Sequence, residues 1–121
     1  MNHQLNAVFS IMAFLMINVK AKSQISNISN NRKHLYVYNL DGKMISEFFC
    51  NGNLFGYSTS IIGSADAKHV YVYDETGRRI SDFFVSGYPI HVNGDYLISK
   101  DNKHVYVYSK NGRKVSDYFE R

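Results

Sequence analysis

The apolar positions of this chain alternate; they do not recur at helical spacing. In "KHVYVY", Lys68 to Tyr73, Val70 and Val72 fall on one face of an extended strand and His69, Tyr71 and Tyr73 on the other. A sheet with one wet side alternates apolar with polar residues. Here aliphatic alternates with aromatic, which predicts a strand packed on both faces. The phrase runs on through a turn as "KHVYVYDETGRRISDFF", and it returns as "KHLYVYNLDGKMISEFF" from Lys33 and "KHVYVYSKNGRKVSDYF" from Lys103. The three lysines stand 35 residues apart, and a fixed period of that size signals a repeat architecture.

The third unit divides into four β-prone runs: Pro89 to Val92, Tyr96 to Ser99, His104 to Tyr108, and Lys114 to Phe119. Each division carries turn chemistry. Asn93 and Gly94 form the strongest two-residue hairpin cue, Asp101 and Asn102 tolerate positive φ, and "SKNG" ends in Gly112. The last turn of each unit, "NLDG", "DETG" or "SKNG", predicts a type I turn closed by a G1 bulge at Gly42, Gly77 or Gly112. Each unit therefore reads as an antiparallel meander. The first unit is shortened: Ile25 to Ser29 is its second strand, and the counterpart of its first strand falls at Val19 to Lys22.

At "VYVYDETGRRISDF" the chain resembles the inner hairpin of short β-propeller blades of the quinoprotein, NHL and WG-repeat kinds, although it lacks the Trp that several of those families place in each unit. The resemblance implies an all-β chain of about three tandem 35-residue, propeller-blade-like meanders following an N-terminal signal helix. It brings no cofactor signature, so no cofactor is expected. Propellers close with about four to eight blades, and three units fall short. A ring completed by further copies, an open stack and a threefold trefoil-like barrel all remain open. Exposed sheet edges favour self-association.

The N-terminus changes the expected compartment. "AVFSIMAFLMINV", Ala7 to Val19, is an apolar segment too short to span a bilayer comfortably, and small-residue cleavage patterns follow it. The division expected is a signal peptide at 1–23 and a β-repeat domain at 24–121, with units at about 24–51, 52–86 and 87–121. The protein is then secreted or periplasmic, with the membrane involved only through the signal. Its n-region, "MNHQLN", lacks Lys and Arg, which departs from the usual pattern.

Composition adds little beyond this. Hydrophobic residues make up 45% and aromatic residues 15% of 121 residues, enough for a folded core. Net charge is +4, and losing Lys20 and Lys22 with the signal would halve it, so nothing points to nucleic acid. Cys50 is the only cysteine, which rules out an internal disulfide and suggests a buried apolar role.

Three sets of side chains recur. Tyr36, Tyr38, Tyr71, Tyr73, Tyr106 and Tyr108 form a ladder suited either to packing between blades or to holding a sugar or peptide. His34, His69 and His104 share one position in each unit, where near-threefold symmetry would let them converge on a metal; the plainer reading is strand ends near solvent. Glu47, Asp82 and Asp117 follow Ser46, Ser81 and Ser116, and their repetition argues for structural hydrogen bonding. No catalytic residue is expected. The sequence thus reads as a non-catalytic binding or structural module for protein, carbohydrate or self-assembly, with a truncated remnant of a larger propeller as the alternative and an enzyme a distant one.

Overall fold

The computed structural model describes residues 23–121, so the expected signal segment lies outside the described residues apart from Ser23. Eleven strands follow: β1 (Asn27–Asn31), β2 (His34–Tyr38), β3 (Met44–Phe49), β4 (Asn53–Tyr57), β5 (Ile62–Asp66), β6 (His69–Tyr73), β7 (Arg79–Phe84), β8 (Tyr88–Asn93), β9 (Tyr96–Asp101), β10 (His104–Ser109) and β11 (Lys114–Phe119). They form three separate antiparallel sheets, ordered β1-β2-β3, β4-β5-β6-β7 and β8-β9-β10-β11. The fold is all-β and blade-like. Because each sheet keeps its own strands, the trefoil-like barrel is excluded.

The turn chemistry accounts for the hairpins. In the first blade the Gly42 N–H donates to the Asn39 carbonyl, and the Asn39 N–H donates to the Lys43 carbonyl. Gly42, Gly77 and Gly112 have φ of 77°, 87° and 92°, the left-handed conformation that the expected G1 bulge requires. Register slips by one residue between Val37 and Tyr38, between Val72 and Tyr73, and between Val107 and Tyr108. The side chain opening each turn secures it: Asn39 Oδ1 and Asp74 Oδ1 each accept two backbone N–H groups, and Ser109 Oγ accepts one. Burial pushes the Asp74 carboxyl up, but hydrogen bonds from the Thr76 hydroxyl and from the Thr76 and Arg78 N–H groups, with the Arg78 charge, leave it below the usual carboxylate range.

Several boundaries moved from their expected places: β8 starts at Tyr88, β9 runs on to Asp101 and β10 to Ser109. β1 begins at Asn27, not Ile25, because pairing runs from Asn27 opposite Tyr38 to Asn31 opposite His34. Asn93 belongs to β8, where it pairs with Tyr96, and Gly94 supplies the positive φ of the turn.

Packing between blades follows one rule. Leu35 and Val37 of the first blade meet Ile62 and Tyr73 of the second in one core cluster, with Phe48 and Tyr71 against it. Val70 and Val72 of the second blade meet Leu97 and Tyr108 of the third, with Phe83 and Tyr106 against them. The aliphatic face of each blade therefore receives the tyrosine face of the next. The first strands also lie close: a Cβ on Gly56 of β4 would stand 2.9 Å from the Val92 nitrogen of β8, so glycine admits this approach. β4 and β8 are thus the inner strands, and β3, β7 and β11 form the outer rim.

Candidate functional site

One constellation recurs at the outer rim of all three blades. His69 opens β6 directly opposite Phe84 at the end of β7, and two residues on Tyr71 shares its face. The imidazole is stacked between both rings, with centroids 4.3 Å from each. In the first blade His34 lies 4.4 Å from Tyr36 and 4.3 Å from Phe49; in the third, His104 lies 4.1 Å from Tyr106 and 4.2 Å from Phe119. Alternation dictates this, since positions two apart on a strand, and directly opposed positions on its neighbour, share one face.

Both imidazole nitrogens are engaged. Nδ1 faces the hydroxyl of the tyrosine two residues on, at 3.2 Å in His34, 3.1 Å in His69 and 3.0 Å in His104. Nε2 meets the acid of the facing strand: Asp82 at 3.0 Å, Asp117 at 2.9 Å, and Glu47 more loosely at 3.9 Å. The His104 hydrogen bond, followed by the nearby Lys114 ammonium, holds the Asp117 carboxyl below the usual carboxylate range. Each histidine is therefore tied to its own blade. Among the described residues no three ligand-type side chains stand where they could hold a metal ion.

The six tyrosines divide by position. Tyr36, Tyr71 and Tyr106 belong to the rim stacks. Tyr73 and Tyr108 are buried between blades, where their hydroxyls accept the Asn51 and Ser86 N–H groups at 2.9 Å. Ser64 and Ser99 donate to the carbonyls of those same two linker residues, so the backbone between blades is held on both sides. Tyr38 is half-buried on the outward face of the first blade.

The serine-acid pairs separate as well. Ser46 donates to the Glu75 carbonyl of the next blade, and Ser81 to that of Lys110, on the face opposite the histidine. A tyrosine–histidine–acid chain thus exists in each blade, with no serine beside it. Cys50 is buried at the first linker, where burial pushes its thiol up against smaller opposing effects from Ser64 and Lys33.

Sequence reasoning did not single out Phe49, Phe84 and Phe119. They are 72%, 74% and 72% exposed, among the most exposed large apolar side chains. Alternation within "EFF", "DFF" and "DYF" carried the signal: the first aromatic residue lies on the aliphatic face, where Phe48 and Phe83 enter a blade interface, and the second points out to the rim. In the first blade a shallow pocket adjoins the stack, lined by Asn31, Arg32, Lys33, His34 and Phe49.

No protein-family model matches the chain, and no curated protein matches it either. Among solved structures it is similar to BamB from Moraxella catarrhalis, a β-propeller-like protein, at 16% identity and a TM-score of 0.54, covering 78% of this chain and 32% of that one. KlHsv2 with loop 6CD replaced by a Gly-Ser linker aligns at 12% identity and a TM-score of 0.38, over 83% of this chain and 50% of that one. The chain thus spans about a third of the length of BamB and half that of KlHsv2. The likeness to BamB supports the fold that the three sheets display: an all-β, β-propeller-like repeat.

Proposed function

We propose that this chain is a secreted, non-catalytic protein-interaction module that offers the rim phenylalanines Phe49, Phe84 and Phe119 to a partner protein. The observation that carries this reading is three large rings, each more than 70% exposed, fixed at equivalent positions by a stacked histidine that is doubly hydrogen-bonded in the second and third blades. Rings held in one orientation lose little freedom on binding, which is how aromatic anchors contribute most to an interface. Repetition along the rim multiplies the contact, and Glu47, Asp82 and Asp117 beside the rings supply polar selectivity. The non-catalytic part is supported by the direction of Ser46 and Ser81, which point to carbonyls across the blade and away from the histidines. Secretion is supported by the apolar segment Ala7 to Val19, and N-terminal sequencing of the exported chain tests it.

The binding test is selection of displayed peptides against the protein, followed by comparison with a variant carrying Phe49→Ser, Phe84→Ser and Phe119→Ser. The rings are largely in solvent, so the variant folds, as circular dichroism would check, and loses the selected peptides. Peptides that bind the variant equally well, or selection of none, overturn the reading. A glycan array that lights up only with the phenylalanines present would move it to carbohydrate.

A further inference from the structure

The interface between consecutive blades is built twice from the same parts, and one half of it stands open at each end of the described stack. On the aliphatic side, Phe48 packs on Tyr73 with centroids 5.0 Å apart and covers Gly77, while Ser46 Oγ donates to the Glu75 carbonyl at 2.6 Å. The next interface repeats each contact 35 residues on: Phe83 packs on Tyr108 and covers Gly112, and Ser81 donates to the Lys110 carbonyl. The third blade carries the aliphatic half once more, with Val115 47% and Tyr118 53% exposed and Ser116 in solvent. The first blade carries the tyrosine half. There Leu40 is 61% exposed, and apart from Gly42's own neighbours in the chain nothing among the described residues lies within 4 Å of where a Cβ on Gly42 would stand.

We infer that these two faces join, so that the chain associates head to tail with a second copy of itself. The period assigns every contact: Tyr118 covers Gly42 of the second copy, Ser116 donates to its Leu40 carbonyl, and the Arg121 N–H donates to its Tyr38 hydroxyl. What says that a second copy is the occupant is continuity with the two internal interfaces, whose halves match these in register and in the tyrosine, serine, aromatic and glycine that meet across them. Such a contact is heterologous, so it closes into a ring or runs on as a stack. Two copies of the described stack supply six blades, within the roughly four to eight with which propellers close. Association therefore runs through blade faces, not sheet edges. It does not depend on the rim phenylalanines, and either reading stands if the other fails.

The test is mass in solution of the wild-type chain, of Tyr38→Glu, of a Val115→Asp, Tyr118→Asp variant, and of the two variants mixed. Wild type is expected at twice the single-chain mass or a higher multiple. Each variant alone is expected at the single-chain mass, because no intact pair of faces remains. The mixture is expected to restore a one-to-one dimer, because one variant keeps the aliphatic half and the other the tyrosine half. That restoration also shows both variants to be folded. A monomeric wild type, as would follow if residues 1–22 or another protein covered the first blade, overturns the inference, and so does a mixture that stays monomeric.

Discussion

The ring of Phe48 stands so close over Gly77 that a Cβ on the glycine would lie 2.6 Å from Cδ1. Gly77 therefore answers two demands, since its φ of 87° suits the bulge and its missing side chain admits the ring of the preceding blade. Gly42 meets only the first demand within a single chain. Gly42→Ala should cost about 1 to 2 kcal/mol for the left-handed conformation. Gly77→Ala should add about 1 to 3 kcal/mol for displacing Phe48. Urea unfolding of both variants under conditions where the chain is monomeric checks the ranking, and equal costs would refute the second role.

Tyr73 supplies a second test of how blades are joined. Its hydroxyl accepts the Asn51 N–H at 2.9 Å and donates to Asn51 Oδ1 at 3.3 Å in a buried site. Tyr73→Phe keeps the ring and leaves that N–H without a partner, which should cost about 1 to 3 kcal/mol. Tyr36→Phe removes only a hydroxyl facing His34 on the open face and should cost less. Thermal melting of the pair measures the difference, and a Tyr73→Phe variant as stable as wild type would mean that water or a shifted backbone replaces the bond.

Much of this was legible in the sequence, for a physical reason. The 35-residue period, the hairpins and the bulge glycines are local, and each is written by residues adjacent in the chain. So was the aliphatic and aromatic alternation, which announced packing on both faces. The pairing between faces was not legible. That Val70 and Val72 meet Tyr108 while Tyr73 meets Leu35 and Val37 depends on how one sheet lies on another, which a single unit does not encode. The same gap hid the division of the six tyrosines into rim and interface sets. It also hid the two roles of adjacent aromatics such as Phe83 and Phe84, one covering Gly112 and the other exposed.

The Asp117 carboxylate makes a prediction about pH. Its native pKa lies below the usual carboxylate range, chiefly through the hydrogen bond with His104 and then through Lys114. A group whose pKa falls on folding adds stability that is present in full above its unfolded value and is lost as pH drops through the native one. The melting temperature of Asp117→Ala should therefore fall below that of wild type at neutral pH, and the gap should narrow as pH is taken down through the ordinary carboxylate range and below it. A gap that stays constant through that range would show that the difference comes from packing and not from ionisation.

The two-residue turns that join the second and third strands of the blades test the fold from the stabilising side. Ala67 and Asn102 occupy the same place in successive blades, each with φ of 54°. Asparagine tolerates the left-handed region because its short polar side chain bonds locally, whereas alanine gains nothing there to offset the crowding of its Cβ. Ala67→Asn should therefore stabilise the second blade by up to about 1 kcal/mol, the lower end of the cost of that conformation. Because this turn lies between β5 and β6 within one sheet, the gain should appear in urea unfolding without changing the mass of the protein in solution. The reverse substitution, Asn102→Ala, should destabilise by a similar amount, and opposite signs for the two variants are the result that the shared geometry requires.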